Sequence, residues 1–159
     1  MIRLALVVGF VVACGPGAKG GPTMNNHVGA PETAPQSSAV VSADILAREP
    51  VANNAQVKHI LIGWKDSDSH DPRSEQRTKA DAEAEVKKLV EQIKGGADFD
   101  DLMKQHSEDP GSASSARAYS VAPNAQFIIE FKQMGLRLHV GEVGVVQSDY
   151  GFHIMKRVE

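Results

Sequence analysis

Apolar residues recur at regular spacing in the region between Gln56 and Glu159. Residues 57–63 form a short apolar run rich in β-branched side chains, which predicts a β-strand. After a polar loop, apolar residues recur at helical spacing and predict a helix that Thr78 caps and the Gly-Gly pair at 95–96 ends. The chain from residue 56 onward therefore has the pattern of a folded domain.

Short elements and turns alternate in the rest of this region. Asp98 is placed to cap a second helix, and the Asp-Pro-Gly sequence at 109–111 indicates a turn. The remaining predicted elements are a strand at 117–121, a helix at 124–134, and strands at 143–146 and 152–158 that a hairpin turn at 148–151 joins. This order predicts an α+β domain in which three to four helices surround a small antiparallel sheet of about four strands.

Residues 14–55 have a different composition from the predicted domain at 56–159. No aromatic residue lies between Phe10 and Trp64, and residues 15–35 hold five Gly and four of the eight Pro. Such a stretch buries too little apolar surface to offset the loss of chain entropy on folding. We therefore predict a flexible tether over 14–55, in which residues 42–49 have the pattern of one or two helical turns.

Residues 1–13 have the composition of a leader. Residues 4–13 carry no polar or charged side chain, and as a helix they span about 15 Å, half of a bilayer core of about 30 Å. This length is typical of an export signal. The Val-Val-Ala sequence before Cys14 resembles the lipobox of bacterial lipoproteins, which implies a lipid on Cys14 and a place in the bacterial cell envelope, on the outer membrane facing the periplasm. The alternative is an ordinary secretory signal with an incidental cysteine.

Composition excludes several other classes of function. The net charge of −3 over 159 residues leaves no basic surplus for nucleic acid. The one cysteine excludes a disulfide within the chain and a multi-cysteine metal site. His70, His106 and His139 lack the spacing of metal ligands. No nucleic acid and no metal are therefore expected as partners.

Five short blocks lie in order along the predicted domain. They are His59-Ile60-Leu61, Gly95-Gly96-Ala97-Asp98-Phe99, the residues 107–113, Gly141-Glu142-Val143 and Tyr150-Gly151-Phe152-His153-Ile154. In order and spacing these blocks resemble the parvulin family of peptidyl-prolyl cis/trans isomerases. The resemblance extends over essentially the whole region 56–159 and implies a parvulin-like fold.

The resemblance also implies an activity, the rotation of Xaa-Pro peptide bonds in exported proteins by a membrane-tethered folding factor. Its partners would be unfolded or exported polypeptides that contain proline. Amide resonance opposes the rotation with a barrier of about 18–20 kcal/mol, and an enzyme lowers it by binding the twisted amide more tightly than the planar forms. No bond is broken, so no cofactor is expected.

The resemblance assigns two groups of site residues. His59 and His153 match the family's facing histidines, which implies a catalytic pair, although a histidine in an apolar strand is often a structural core residue. The family's proline pocket falls on four positions: Tyr119, Phe127, Phe131 and Leu136. The alternative is that these four residues belong to the ordinary core of a helix and its strand.

One position departs from the family pattern as aligned. Ala118 falls where the resemblance places an Asp or a Cys beside the reacting amide. The loss favours a second hypothesis, a catalytically weak parvulin-like domain that acts as a chaperone or peptide-binding module. Tyr150 is a further departure, and either its hydroxyl reaches the site or its ring narrows it.

The polar loop at 64–77 bears on phosphate recognition. Parvulins that bind phosphoserine-proline use a cluster of basic residues in this loop. Here Lys65, Arg73 and Arg77 alternate with acidic residues that cancel their field. The sequence therefore does not favour phosphate specificity.

Overall fold

A four-stranded antiparallel sheet lies at the centre of the structure, a computed structural model that describes residues 38–159. The strands are β1 (Ala55–Ile62), β2 (Tyr119–Val121), β3 (Val143–Ser148) and β4 (Gly151–Arg157). Their order is β2-β1-β4-β3, so β1 and β4 are central neighbours. The predicted signal, Cys14 and most of the predicted tether lie outside the described residues.

Five α-helices accompany the sheet within residues 38–159. They are α1 (Ala43–Leu46), α2 (Lys79–Lys94), α3 (Phe99–His106), α4 (Pro110–Ser115) and α5 (Ile129–Gly135), and a 3₁₀ helix spans Ser74–Gln76. None of the helices in this part of the chain is both long and apolar enough to cross a membrane.

The predicted helix caps are present where the sequence places them. Thr78 forms a capping box with Asp81 at the start of α2, and the side chain of Asp98 accepts the N–H of Asp101 at the start of α3. These caps satisfy N–H groups that have no partner within a helix. The two helix starts therefore follow from local sequence.

Two predicted elements differ from the structure. The Asp-Pro-Gly sequence predicted as a turn begins α4, because Asp109 caps the helix by accepting the Ser112 N–H at 2.8 Å and Pro110 occupies the first helical position. The helix predicted at 124–134 begins only at Ile129. Before it the backbone makes turns, in which Phe127 donates its N–H to the carbonyl of Ala125.

The two faces of the sheet have separate cores. On one face Ile60 and Phe152 pack with apolar residues of α2 and α3. On the other face Val57 and Met155 pack with α5, including Phe131. Because side chains alternate along a strand, His59 and His153 point to the same face as α5.

The segment before β1 belongs to the folded region. Ser42 donates its N–H to the carbonyl of Val145 at 2.9 Å and accepts the Val145 N–H on Oγ at 3.0 Å. Arg48 pairs with Glu142 at 2.8 Å, and Ile45 is buried. Ser42 therefore lies on the edge of β3, and the folded region begins before Gln56, within the stretch predicted as a tether.

Candidate active site

The structure brings the two predicted histidines together. In the pairing of β1 with β4, His59 lies opposite Met155 and Leu61 opposite His153, so the histidines are diagonal neighbours on one face. Their Nδ1 atoms are 3.3 Å apart, and the residues are only 6% and 5% exposed. The stacked rings lie 5.4 Å apart between centroids.

A carboxylate lies on the other side of His59. Oδ2 of Asp109 is 3.4 Å from Nε2 of His59, and it accepts hydrogen bonds from the hydroxyls of Ser112 at 2.6 Å and Tyr119 at 2.8 Å. The contact with His59 and the Ser112 and Tyr119 donors hold the pKa of Asp109 well below its usual value, although burial opposes them. The carboxylate is therefore ionised at neutral pH.

These contacts fix one direction for the hydrogen bonds through the pair. Because ionised Asp109 only accepts, Nε2 of His59 carries a proton. When both rings are neutral, Nδ1 of His59 accepts from the Nδ1–H of His153. Nε2 of His153 then accepts the hydroxyl of Ser148 at 2.8 Å, and that oxygen accepts the N–H of Tyr150 at 3.2 Å. Every polar atom of the two rings thus has a partner.

His153 is held neutral in this chain of contacts. Burial, helped by the neighbouring His59, lowers the pKa of His153 to about 3. A neutral imidazole can donate on one nitrogen and accept on the other, as the contacts with His59 and Ser148 require.

A cavity of about 270 Å³ opens beside the pair. Its lining residues are His59, Leu61, Asp109, Tyr119, Gln126, Phe127, Ile128, Phe131, Tyr150 and His153. The rings of Phe127 and Phe131 lie 5.2 Å apart, and that of Tyr119 meets Phe127 edge-on at 5.9 Å. The cavity therefore has aromatic walls and one ionised group, a combination suited to an apolar ring attached to a polar chain.

Three of the four predicted pocket residues line this cavity, and Leu136 does not. Leu136 is 7% exposed and packs in the core on the α5 side of the sheet. Its carbonyl accepts the N–H of Val51 at 2.9 Å, which ties the segment before β1 to α5. Leu136 therefore belongs to the core and not to the cavity lining.

The structure also corrects the interpretation of Ala118. That residue is absent from the cavity lining, and the carboxylate beside the histidines comes from Asp109. The conclusion that the site has lost its acidic group is therefore wrong. Asp109 was missed because Asp-Pro-Gly is a common turn sequence, whereas Asp before Pro is also the signature of a capped helix.

Hydrogen bonds to the end of β1 position Asp109. Leu61 donates its N–H to Oγ of Ser107 at 3.1 Å and accepts the N–H of Glu108 at 2.9 Å. The Glu108 carboxylate accepts the N–H of Gly63 at 2.7 Å and pairs with Arg77 at 2.7 Å. Since β1 also carries His59, one strand sets the distance between the histidine and the carboxylate.

The basic residues of the loop after β1 make internal contacts. Arg73 pairs with Asp71 at 2.8 Å and donates to the carbonyl of Ser107 at 2.9 Å. Arg77 pairs with Glu108 and with Glu85, the latter at 3.1 Å. These contacts leave Arg73 and Arg77 poorly placed to bind a phosphate.

A second cavity of about 430 Å³ adjoins the first and shares Leu61, Asp109 and Tyr150 with it. Its other lining residues are Asp68, Ser69, His70, Asp71, Pro72, Glu108 and Pro110. Tyr150 lines both cavities. Among residues 38–159, no group of His, Cys, Asp and Glu side chains is arranged to hold a metal ion.

Curated relatives resemble part of this chain. A chaperone SurA from Saccharophagus degradans is 34% identical over 110 residues, which cover 69% of this chain and 24% of the relative. A foldase protein PrsA from Geobacillus kaustophilus is 37% identical over 75 residues, which cover 46% of this chain and 27% of the relative. The chain thus spans about a quarter of the length of these relatives.

Solved structures share the fold. The peptidyl-prolyl isomerase ESS1 from Candida albicans has a TM-score of 0.60 at 24% identity, covering 67% of this chain and 63% of that one. The peptidylprolyl isomerase PrsA from Bacillus cereus has a TM-score of 0.52 at 28% identity, covering 76% of this chain and 39% of that one. The predicted α+β parvulin fold is confirmed. Residues 43–159 match the family model, and the chain therefore belongs to the family of the PPIC-type PPIase domain.

Proposed function

We propose that this chain catalyses cis/trans rotation of Xaa-Pro peptide bonds. The observation that carries the proposal is the aromatic cavity of Tyr119, Phe127 and Phe131 next to the ionised Asp109. The proline ring would occupy the aromatic cavity, and the preceding carbonyl would lie near the carboxylate. Membership of the family and the likeness to two peptidyl-prolyl isomerases support this assignment.

Electrostatics explains how such a site lowers the barrier. In a planar amide the carbonyl oxygen carries extra negative charge, and that charge is lost when the bond twists. A nearby carboxylate repels the planar form more than the twisted one, so the twisted amide is bound better. The apolar cavity also removes the amide from water, which destabilises the charge-separated planar form further. The chain of contacts through His59 and His153 fixes the orientation of the polar groups.

The proposed clients are unfolded or exported polypeptides that contain proline, met in the bacterial cell envelope. Cys14, outside the described residues, would carry the lipid anchor, and the following residues would tether the domain to the outer membrane on its periplasmic side. Stable anchoring needs more than one acyl chain, since each buried CH₂ contributes about 0.8 kcal/mol. We expect the full chain to enter the detergent phase of a two-phase partition and Cys14→Ala to remain in water. Wild-type chain in the aqueous phase would refute the anchor.

A second candidate function is a chaperone or peptide-binding module with weak catalysis. The observation in its favour is that a matching relative is named a chaperone. The argument from Ala118 no longer supports it, because Asp109 supplies the carboxylate. The two functions differ in whether bound peptide isomerises faster.

Exchange NMR on an Ala-Pro peptide with the full chain tests both functions. We expect faster cis/trans exchange, lost in Phe127→Ala and in Phe131→Ala, with Val140→Ala as the control because it is 64% exposed and does not line the cavity. Circular dichroism checks that the variants are folded. Peptide-induced shifts at the cavity without faster exchange would establish the binding module instead. The absence of both faster exchange and peptide-induced shifts would refute both functions.

A further inference from the structure

Tyr119 is the residue at which the aromatic wall and the polar contacts meet. Its ring meets His59 edge-on at 5.4 Å, Phe127 at 5.9 Å and Phe131 at 6.3 Å between centroids. Its hydroxyl donates to Oδ2 of Asp109 at 2.8 Å. One side chain therefore contacts both the apolar and the ionised part of the cavity.

The neighbouring backbone leaves room for this hydroxyl. Gly111 lies in α4 beside it, and a side-chain carbon at Gly111 would overlap the phenol oxygen. On the outside, the guanidinium of Arg117 lies 5.1 Å from the centre of the ring. The Tyr119 side chain is thus enclosed between the helix, the aromatic wall and a cation.

The contacts of Asp109 are all on one oxygen. Oδ2 accepts from Tyr119, from the hydroxyl and N–H of Ser112, and lies near Nε2 of His59. Within residues 38–159 these contacts leave Oδ1 without a hydrogen-bond donor, while the side chain is 29% exposed and lines both cavities. Oδ1 is therefore the oxygen available to a bound chain.

We propose that Tyr119 is a positioning residue, whose hydroxyl orients the Asp109 carboxylate so that Oδ1 faces the substrate carbonyl. The inference rests on the isomerase function proposed above. The terminal torsion of an aspartate is broad, so donors from several directions are needed to fix the carboxylate plane. Ser112 belongs to the helix that Asp109 itself caps, and Tyr119 supplies the donor from the side of the cavity.

The test removes the hydroxyl and keeps the ring. In Tyr119→Phe we expect the cis/trans exchange rate at a saturating concentration of Ala-Pro peptide to fall about tenfold, because one hydrogen bond to a charged group is lost. The dissociation constant of the peptide should change less than twofold, because the aromatic wall remains. Ser115→Ala is the matched control, since it also removes one hydroxyl hydrogen bond. That bond runs within α4 from Ser115 to the carbonyl of Gly111 at 3.0 Å, and Ser115 does not line the cavity.

A double-mutant cycle shows whether the effect passes through Asp109. In an Asp109→Asn background, Tyr119→Phe should cost less than twofold, because no charge remains to be oriented. An unchanged rate in Tyr119→Phe, or the same loss in both backgrounds, would overturn the positioning role while leaving the isomerase function intact. A wild-type chain that does not accelerate exchange would overturn the proposed function and with it this role.

Discussion

Nδ1 of His59 faces Nδ1 of His153 at 3.3 Å, so one nitrogen donates and the other accepts. The neighbours of the pair decide which: Asp109 accepts on the His59 side, and Ser148 can donate on the His153 side. Both rings are satisfied in their neutral forms, and each tautomer depends on the other. A proton added to His153 would turn its Nε2 into a donor, leave the Ser148 hydroxyl hydrogen without this acceptor, and place a charge on a buried ring.

Stability should therefore fall in acid through His153. Its pKa in the folded chain is lowered to about 3 from 6.5, so between these values the unfolded chain binds more protons and the free energy of unfolding decreases as pH falls. The expected loss between pH 7 and pH 4.5 is about 2–3 kcal/mol. Urea unfolding of wild type and His153→Asn at both pH values measures it.

The variant should lose most of this pH dependence. His139→Asn, which changes an exposed histidine, should keep it and is the matched control. An equal slope in wild type and His153→Asn would show that other groups cause the acid sensitivity.

The buried pair of Arg77 and Glu108 offers a second prediction, on stability. The Glu108 side chain is fully buried, and its oxygens bind Arg77 and the N–H of Gly63. Arg77→Leu leaves this carboxylate without its partner and should cost about 3–5 kcal/mol of unfolding free energy. Arg73→Leu, which alters the more exposed pair with Asp71, should cost about 1 kcal/mol or less.

Denaturant unfolding of both arginine variants gives these values. Adding Glu108→Gln to Arg77→Leu should recover part of the loss, since the buried charge is then absent. No recovery would mean that the packing of Arg77 matters more than its charge.

Residues 38–54 supply a third prediction. Ile45 is 4% exposed and packs with Met134 and Leu138 near β3. Ile45→Ala should therefore cost about 2–5 kcal/mol, whereas Val51→Ala, at a residue 44% exposed, should cost less than about 1 kcal/mol. Thermal unfolding of the full chain distinguishes the two variants. Equally small losses of stability in both would mean that residues 38–54 belong to the tether and not to the folded region.

The sequence predicted most elements because their signals are local. The helix caps of Thr78 and Asp98 and the apolar run of β1 depend on residues a few positions apart. The fold of residues 38–54 was missed because Ser42 and Arg48 bind Val145 and Glu142, far away in the chain. Backbone and ion-pair contacts of this kind leave no periodic pattern.

The site was predictable to a similar extent. The histidines and three aromatic residues followed from the family resemblance, whereas the same resemblance placed the acidic position at Ala118 and not at Asp109. Only the structure shows that the Asp-Pro-Gly segment lies against β1 and directs its carboxylate at His59. A helix cap and a carboxylate of the candidate site coincide in Asp109, and the local sequence pattern indicates only the cap.

Substrate preference gives a fourth prediction. The cavity next to the proposed proline site is lined by Asp68, Asp71 and Asp109, and the nearby Arg73 is already paired with Asp71. A phosphoserine or glutamate before proline would meet these three carboxylates, so such peptides should be isomerised more slowly than Ala-Pro. Exchange NMR on Lys-Pro, Ala-Pro, Glu-Pro and phosphoserine-Pro peptides ranks them. Fastest exchange of the phosphopeptide would contradict the prediction.

The place of the acidic group gives the last prediction. If Asp109 supplies the charge, Asp109→Asn should slow Ala-Pro exchange about tenfold or more, since it keeps the shape and removes the charge. Ala118→Asp adds a carboxylate outside the cavity lining and should leave the rate within twofold of wild type. A large gain from Ala118→Asp, with no loss from Asp109→Asn, would place the missing charge at 118. Measured together by exchange NMR, the two variants decide which position supplies the charge, because both change one carboxylate and only Asp109 contacts His59.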